Sequence, residues 1–505
     1  MRTLHHFHGG VHPPEHKLES SVQPSALAPV PLQLVLPLQQ HIGAPAKPIV
    51  QVGERVLKGQ MIACADGAVS AAIHAPTSGA ILAIEPRHAP HPSSLPELCI
   101  ILAADGEDRW IEHAGFDYRA LPRAEVLARL RDGGIAGLGG ATFPTHTKLG
   151  SGKAVETLIL NGAECEPWIT TDDVLMRERA AEIARGIAVL QYLLSPAETI
   201  IGIEDNKPEA IAAMRQACAD NGVGIVVIPT LYPSGGEKQL IRILTGKEVP
   251  AGGRPVNIGV VCSNVATVRA VQRLAEHGEP MISRLVTVTG NVQTPRNYET
   301  LIGTPMSELE ALAGKRPGTE GYIVGGPMMG LHVRDAMLPV IKATNCIIAK
   351  SPQLFPPPQP AMPCIRCTRC AQVCPADLQP QELYWFAKAK NFDKAQQYNL
   401  LDCIECGACS YVCPSHIPLV QYYRFAKGEV GAREKDKAAA AAARDRHEFR
   451  QERIERDKRE KAERLAQKEK AAAALAAQPG GDAAADQADI QAALERARAA
   501  DAKET

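Results

Sequence analysis

Eight cysteines fall in two short runs. The first is Cys364-x-x-Cys367-x-x-Cys370-x-x-x-Cys374-Pro375 and the second is Cys403-x-x-Cys406-x-x-Cys409-x-x-x-Cys413-Pro414. This doubled spacing is the bacterial ferredoxin pattern for 4Fe–4S clusters. Three thiolates two residues apart wrap a loop around one cluster, and the fourth, next to proline, serves the other cluster. The expected tetrads are therefore Cys364, Cys367, Cys370 and Cys413, and Cys403, Cys406, Cys409 and Cys374. Residues 377–400 read as helix and linker between the runs. A disulfide framework would need an oxidising compartment, and the N-terminus carries no export signal. Structural zinc would need only Cys-x-x-Cys pairs, not a doubled four-cysteine run followed by proline. The remaining six of 14 cysteines (Cys64, Cys99, Cys165, Cys218, Cys262 and Cys346) read as small buried side chains.

Two such clusters carry single electrons and make or break no bonds, so the rest of the chain must say where the electrons go. Its 505 residues, 45% hydrophobic, allow roughly three or four domains. Lys and Arg number 55 against 56 Asp and Glu, and aromatics are 4%, which disfavours a basic, base-stacking nucleic-acid binder. No apolar run approaches the roughly 20 residues that span a bilayer. The expectation is a protein that is cytosolic or sits on the cytosolic face of a membrane, with no transmembrane span of its own.

The pattern along the chain predicts an α/β multidomain protein. Residues 1–122 read as β, with glycine turns at Val52–Ala63 and His74–Ile81 that suggest paired hairpins. Residues 123–280 alternate strand and helix: strands at Thr157–Leu160, Thr199–Ile203, Gly224–Ile228 and Asn257–Cys262, and helices at Pro208–Cys218, Glu237–Leu244 and Asn264–His277. That rhythm predicts a parallel sheet. Residues 281–350 return to β. A proline-rich spacer at 351–363 leads into the cluster domain, placed at 355–430. Residues 431–505 are dominated by Ala, Lys, Arg, Glu and Asp. They predict a long exposed helix over 431–473, a break at Pro479-Gly480-Gly481 and a second short helix over 489–500. The tail reads as a solvated helix or as a tether to a partner or to anionic lipid.

A glycine-rich turn, Gly137-Leu138-Gly139-Gly140-Ala141-Thr142-Phe143-Pro144-Thr145-His146-Thr147-Lys148, opens the α/β region. Clustered glycines let backbone N–H groups approach an anion, and lysine adds positive charge. Alone it reads equally well as a tight turn. Three further turns follow strands: Asn161–Pro167, Tyr232–Lys238 and Ser263–Thr267. In a parallel sheet such turns converge on one crevice. The N-terminal histidines His5, His6, His8, His12 and His16 lie among Gly and Pro without evident metal-ligand geometry.

These segments resemble the flavin-binding subunit of respiratory complex I. More closely, the chain resembles the RnfC family of Rnf-type ion-translocating electron-transport complexes. The resemblance rests on Phe7-His8-Gly9-Gly10-Val11-His12-Pro13-Pro14, the glycine turn, the doubled cysteine run and the charged tail. It implies a barrel-sandwich, lipoyl-like first domain that lacks the carrier lysine, since no lysine occurs between Lys58 and Lys148. It also implies an FMN-binding α/β domain, a small β-grasp-like (SLBB-like) domain and a ferredoxin-like two-cluster α domain. Residue by residue, it implies that Gly137, Gly139, Gly140 and Lys148 cradle the FMN phosphate. Asn161, Glu164, Gly235, Asn264 and Thr267 would hold the ribityl chain and ring. Phe143, Glu166 and Glu237 would face NAD(H), the implied substrate. No side-chain acid or base is required, so no catalytic residue is assigned. Leu138, Ala163 and Gly236 depart from the complex I pattern, which has arginine, aspartate and glutamate there. The implied setting is the cytoplasmic side of the inner membrane, as a peripheral subunit among partner subunits that reach a ferredoxin-like carrier. A soluble flavin reductase with another acceptor, and an electron-relay adaptor with a vestigial flavin site, use the same modules.

Overall fold

The computed structural model describes residues 2–477, 488–493 and 495–496. The chain divides into two compact units, residues 1–426 and 427–505.

In the first unit, two small antiparallel sheets form near the N-terminus. One runs Gln33–Pro37, Pro96–Ala104, Gly79–His88, Arg55–Val56, and the other Lys47–Pro48, Met61–Cys64, Ile73–His74. Strand alternation turns Leu34 and Leu36 inward, where they meet Ile62, Ile81, Ile100 and Leu102. The first 27 residues lie outside both sheets. Ala26–Leu27 adds instead to the edge of the sheet formed by residues 283–350, pairing in parallel with Tyr298–Glu299.

The central sheet is parallel and four-stranded, in the order Val223–Ile228, Glu198–Glu204, Thr157–Gly162, Val260–Asn264. Leu158, Ile159, Leu160, Ile200, Ile201, Val260 and Val261 are all buried. Helices cover both faces, so these strands read as continuous apolar runs without alternation. That is why composition located them well. The fourth strand starts later than the sequence predicts. Pro255–Ile258 is a 3-10 turn closed by Gly259 at φ 73°, and only then does the strand begin. The sequence reading also assigned no helix between the first and second strands. Thr171–Glu178 and Ala180–Leu194 occupy that stretch.

A six-stranded mixed sheet follows, with Ser283–Gly290, Cys346–Lys350 and Gly321–Val324 at its centre and Met306–Leu312 packed on it. The cysteine runs fold as short helices, Arg369–Gln372 and Ala408–Tyr411, with Pro380–Lys388 and Phe392–Gln397 between them. The two runs share a backbone device. Arg366, Thr368 and Asp377 in the first have positive φ, as do Glu405, Gly407 and His416 at the equivalent places of the second.

In the second unit, residues 427–476 belong to the Leu419–Ala476 helix, and most side chains beyond 430 are exposed. Residues 488–493 and 495–496 are helical, and the rest of the short helix expected over 489–500 lies outside the described residues. The expected break at Pro479-Gly480-Gly481 lies outside the described residues. Among the described residues, no helix is long and apolar enough to cross a membrane.

Candidate redox site

The order of the central strands fixes where a ligand can enter. Strand order reverses between Thr157–Gly162 and Val260–Asn264, and ligands of open parallel sheets sit beyond the carboxyl ends of strands at such a switch. Asn161 and Asn264 are register partners at that lip. The Asn161 amide donates to Gly235 O at 2.9 Å, and its Oδ1 accepts from Ala163 N at 3.0 Å. Asn264 caps the Val265–His277 helix through Ala266 N, and its amide reaches Asp172 Oδ2 at 2.6 Å.

The glycine turn comes to the same lip. Its ends are tied by Gly137 N donating to Phe143 O and by Thr145 N donating to Ile135 O. Leu138 N donates to Thr267 Oγ1 at 2.9 Å. A Cβ added at Gly139 would stand 3.0 Å from Asn264 Cβ, so glycine permits that approach. Gly140, at φ 118° and exposed, has open space where its side chain would be. Such a bare, outward turn is what close approach of an anionic group requires. Lys148 pairs with Glu237 Oε1 at 2.5 Å, joining the helix after the turn to the first residue of Glu237–Thr245. A Cβ at Gly235 would stand 2.6 Å from Ala163 O, so the turns after the first and third strands touch.

The segments carrying the twelve residues expected at the nucleotide site meet at this crevice. The carboxylates of Glu164 and Glu166 are engaged elsewhere. Glu164 accepts from Thr171 Oγ1 and Asp172 N, both at 3.0 Å, and so caps the Thr171–Glu178 helix. Glu166 accepts from Met328 N at 2.7 Å and Met329 N at 3.0 Å. Burial pushes the Glu166 carboxyl up from its ordinary range.

Several residues passed over in the sequence complete the site. Glu204 lies under the crevice at 0% exposure, accepting from Ser234 Oγ, Glu164 N and the buried Lys207 ammonium. Burial and then the Glu164 carboxylate push Asp172 up to about 7. Lys17, from the N-terminal arm, donates to three carbonyls of the turn after the first strand. Tyr232 OH donates to Cys406 O at 2.6 Å, linking a crevice turn to a cysteine run. Lys17 and Tyr232 carry no spacing signal, because their partners lie about 150 or more residues away in sequence.

Cys374, Cys403, Cys406 and Cys409 line one cavity, together with Leu378, Leu383, Ile404, Val420 and Tyr423. The grouping crosses the two runs: three thiols come from one and the proline-flanking thiol from the other. Burial pushes the Cys406 thiol up to about 12 and raises Cys409 and Cys374 as well. Buried thiols of this kind are poor nucleophiles but suit a soft metal centre, which deprotonates its ligands on binding. Among the described residues, no three His, Cys, Asp or Glu side chains converge closely enough for a single metal ion. Four thiols around one cavity are the donor set that a 4Fe–4S cube takes. Leu378 N donates to Cys374 Sγ and Glu405 N to Cys403 Sγ, both at 3.4 Å. The first run is more open. Cys367 is exposed, and Cys364 and Cys413 are half-buried. Met362 N donating to Ser415 O and Ser415 Oγ donating to Pro363 O bring the Cys364 and Cys413 ends together. Cys370 Sγ stands 3.4 Å from Gln381 Oε1.

Family models match along the first unit: an RnfC barrel sandwich hybrid domain over residues 5–107, a Nuo51 FMN-binding domain over 130–273, an SLBB domain over 285–332 and a 4Fe-4S dicluster domain over 363–417. The C subunit of the ion-translocating oxidoreductase complex of Pseudomonas aeruginosa is 51% identical over 462 residues, covering 90% of this chain and 60% of that protein. The chain thus spans less than two thirds of that relative's length. The same subunit of Salmonella typhimurium is 50% identical over 504 residues, covering 99% and 67%, and that of Salmonella gallinarum is 49% identical, covering 99% and 73%. An NAD+-reducing [NiFe]-hydrogenase in the air-oxidized state shares 20% identity at a TM-score of 0.43, over 57% of this chain and 60% of that one. With four module matches in this order and about half of all residues shared along nearly its full length, the chain belongs to the RnfC family, the C subunits of ion-translocating oxidoreductase complexes.

Proposed function

We propose that the chain is the peripheral electron-transfer subunit of a membrane-bound ion-translocating oxidoreductase. It passes electrons between NAD(H), FMN and two 4Fe–4S clusters, and its partners in the complex couple that transfer to ion movement and to a ferredoxin-like carrier. Its place is the cytoplasmic side of the inner membrane. The proposed parts are the barrel sandwich within 1–122, the FMN domain over 123–280, the β-grasp (SLBB) domain over 281–350, the ferredoxin-type domain over 355–430 and the Ala/Lys/Glu-rich tail over 431–505.

The observation that carries this reading is the Tyr232–Cys406 hydrogen bond. It joins a turn at the crevice lip directly to the backbone of a cavity-lining cysteine. A flavin held in the crevice would convert a two-electron hydride into single electrons. The chain's own residues bind and orient. The turn at Gly137–Gly140 and Lys148 would receive the phosphate. Asn161, Gly235, Asn264 and Thr267 would line the ribityl chain and ring. Phe143 and Glu237 would face the nicotinamide nucleotide. Glu164 and Glu166 serve the same site by shaping its turn, Glu164 through the helix it caps and Glu166 through Met328–Met329. Cys374, Cys403, Cys406 and Cys409 would ligate the enclosed cluster, and Cys364, Cys367, Cys370 and Cys413 the more exposed one.

Iron, sulfide and flavin are first quantified on anaerobically purified protein, which is then titrated with NADH. The expected result is joint bleaching of flavin and cluster absorbance. Protein loaded with both cofactors that does not bleach would overturn the reading.

A further inference from the structure

The turn after the first central strand, residues 163–169, is held from outside the α/β domain. Lys17 comes from the N-terminal arm, and its ammonium donates to Glu164 O at 2.6 Å, Glu166 O at 2.7 Å and Ile169 O at 2.6 Å. An ammonium has three N–H donors, and three main-chain carbonyls use all of them. Carbonyl oxygens gathered around one point repel each other unless a cation stands among them. The turn therefore owes its curl to a charge that its own sequence does not supply.

The flanking arm residues act on the same turn. Trp168 N donates to Glu15 O at 2.9 Å, and the His16 ring stacks on Trp168 at 4.1 Å with an interplanar angle of 8°. From this turn, contacts run straight to the crevice lip. Ala163 N bonds Asn161 Oδ1, Gly235 N bonds Cys165 Sγ at 3.2 Å, and Ala163 O lies against Gly235. A shift of a few tenths of an ångström in the turn must therefore move Asn161 and Gly235.

We infer that Lys17 is a positioning residue for the crevice: its ammonium, standing where a monovalent cation would, sets the turn after the first strand in the conformation that receives the flavin. This rests on the flavin reading above. Burial lowers the pKa of the ammonium from its ordinary value, and the neighbouring Glu164 carboxylate opposes that shift. Lys17 contacts neither the proposed phosphate nor ring positions, so its effect passes through the three carbonyls.

The test uses full-length protein purified anaerobically. FMN affinity is read by fluorescence quenching, and iron and sulfide are counted in the same samples. Lys17→Met keeps the chain length and loses the donors. It is expected to weaken FMN binding at least about tenfold while iron and sulfide per chain stay unchanged, since one lost charge-assisted hydrogen bond is already worth about that factor. In Lys17→Gly, ammonium or methylammonium is expected to restore FMN binding. Tetramethylammonium, which has the charge but no N–H, is not. A packing role would show no such selectivity. Should Lys17→Met not accumulate, Lys17→Arg carries the same question, because a planar fork cannot meet three carbonyls around one point. Wild-type FMN affinity in Lys17→Met or Lys17→Arg, or equal rescue by tetramethylammonium, overturns the inference alone. A wild-type chain that takes up no FMN overturns the flavin reading and this inference with it.

Discussion

Glu204 and Lys207 form a buried ion pair directly beneath the crevice, at 0% and 4% exposure. Glu204 also receives Ser234 Oγ and Glu164 N, so its charge is spent on three groups from three segments. Removing one partner of such a pair leaves the other charged and unpaired. Glu204→Gln is expected to destabilise the protein by about 3–5 kcal/mol in denaturant titration. Lys342 is a second buried cation, but its ammonium meets only the carbonyls of Ala72 at 3.0 Å and Gly134 at 2.7 Å. Burial pushes its pKa down to about 7 from an ordinary 10.5. Between those values the unfolded chain holds a proton that the native state has released, so this residue's contribution to stability rises with pH above about 7 and is lost as pH falls through it. Thermal melts at pH 7, 8 and 9 are expected to show a steeper gain for wild type than for Lys342→Met, by at most about 1.4 kcal/mol per pH unit. Equal slopes would mean that Lys342 stays charged throughout. At this scale only the cysteines were legible in the sequence. Their ligand chemistry requires close spacing along the chain, whereas Lys17 and Glu166 find partners 152 and 163 residues away.

Among the elements, three of the four central strands were legible to within two residues, because a strand covered on both faces must be apolar throughout. The paired helices at 171–194 were not read, although Ile183, Ile187 and Leu190 carry a helical spacing on one buried side. The glycine turn was legible as a flexible turn, but its contact with Asn264 was not. Gly235 shows the same limit. In the sequence it is one of two adjacent glycines. In the structure its bare Cα is what lets two strand-end turns touch. Gly235→Ala would force a methyl group to within 2.6 Å of Ala163 O. A loss of about 1–3 kcal/mol is expected, together with weaker FMN binding. Calorimetry and fluorescence on one sample would measure both. A fully stable variant with normal flavin affinity would mean that the two turns move independently.

For the whole molecule, the modules follow one another along the chain, and contacts within the first unit join them. Tyr232 reaches Cys406, the arm reaches the crevice turn, and Gly10 N donates to Val373 O beside Cys374. Cys409 lines the enclosed cavity, so Cys409→Ala is expected to lower iron and acid-labile sulfide by about half while flavin content is kept, as loss of one of two cubes requires. Elemental analysis against flavin absorbance would show it, and full iron content would remove Cys409 from the ligand set. The first unit has its own core, and beyond residue 430 the helix is mostly exposed. A chain ending at Val430 is therefore expected to keep its iron, flavin and melting temperature.

The order of amino acids was enough for the modules, the cluster chemistry and three of the four central strands. Those properties depend on spacing and on apolar runs, which are local. Closure of the chain settled which strand end faces which, and that a lysine near the N-terminus holds a turn near residue 165. Such groupings are set by burial and by hydrogen bonds between distant segments, and these exist only once the chain has closed on itself.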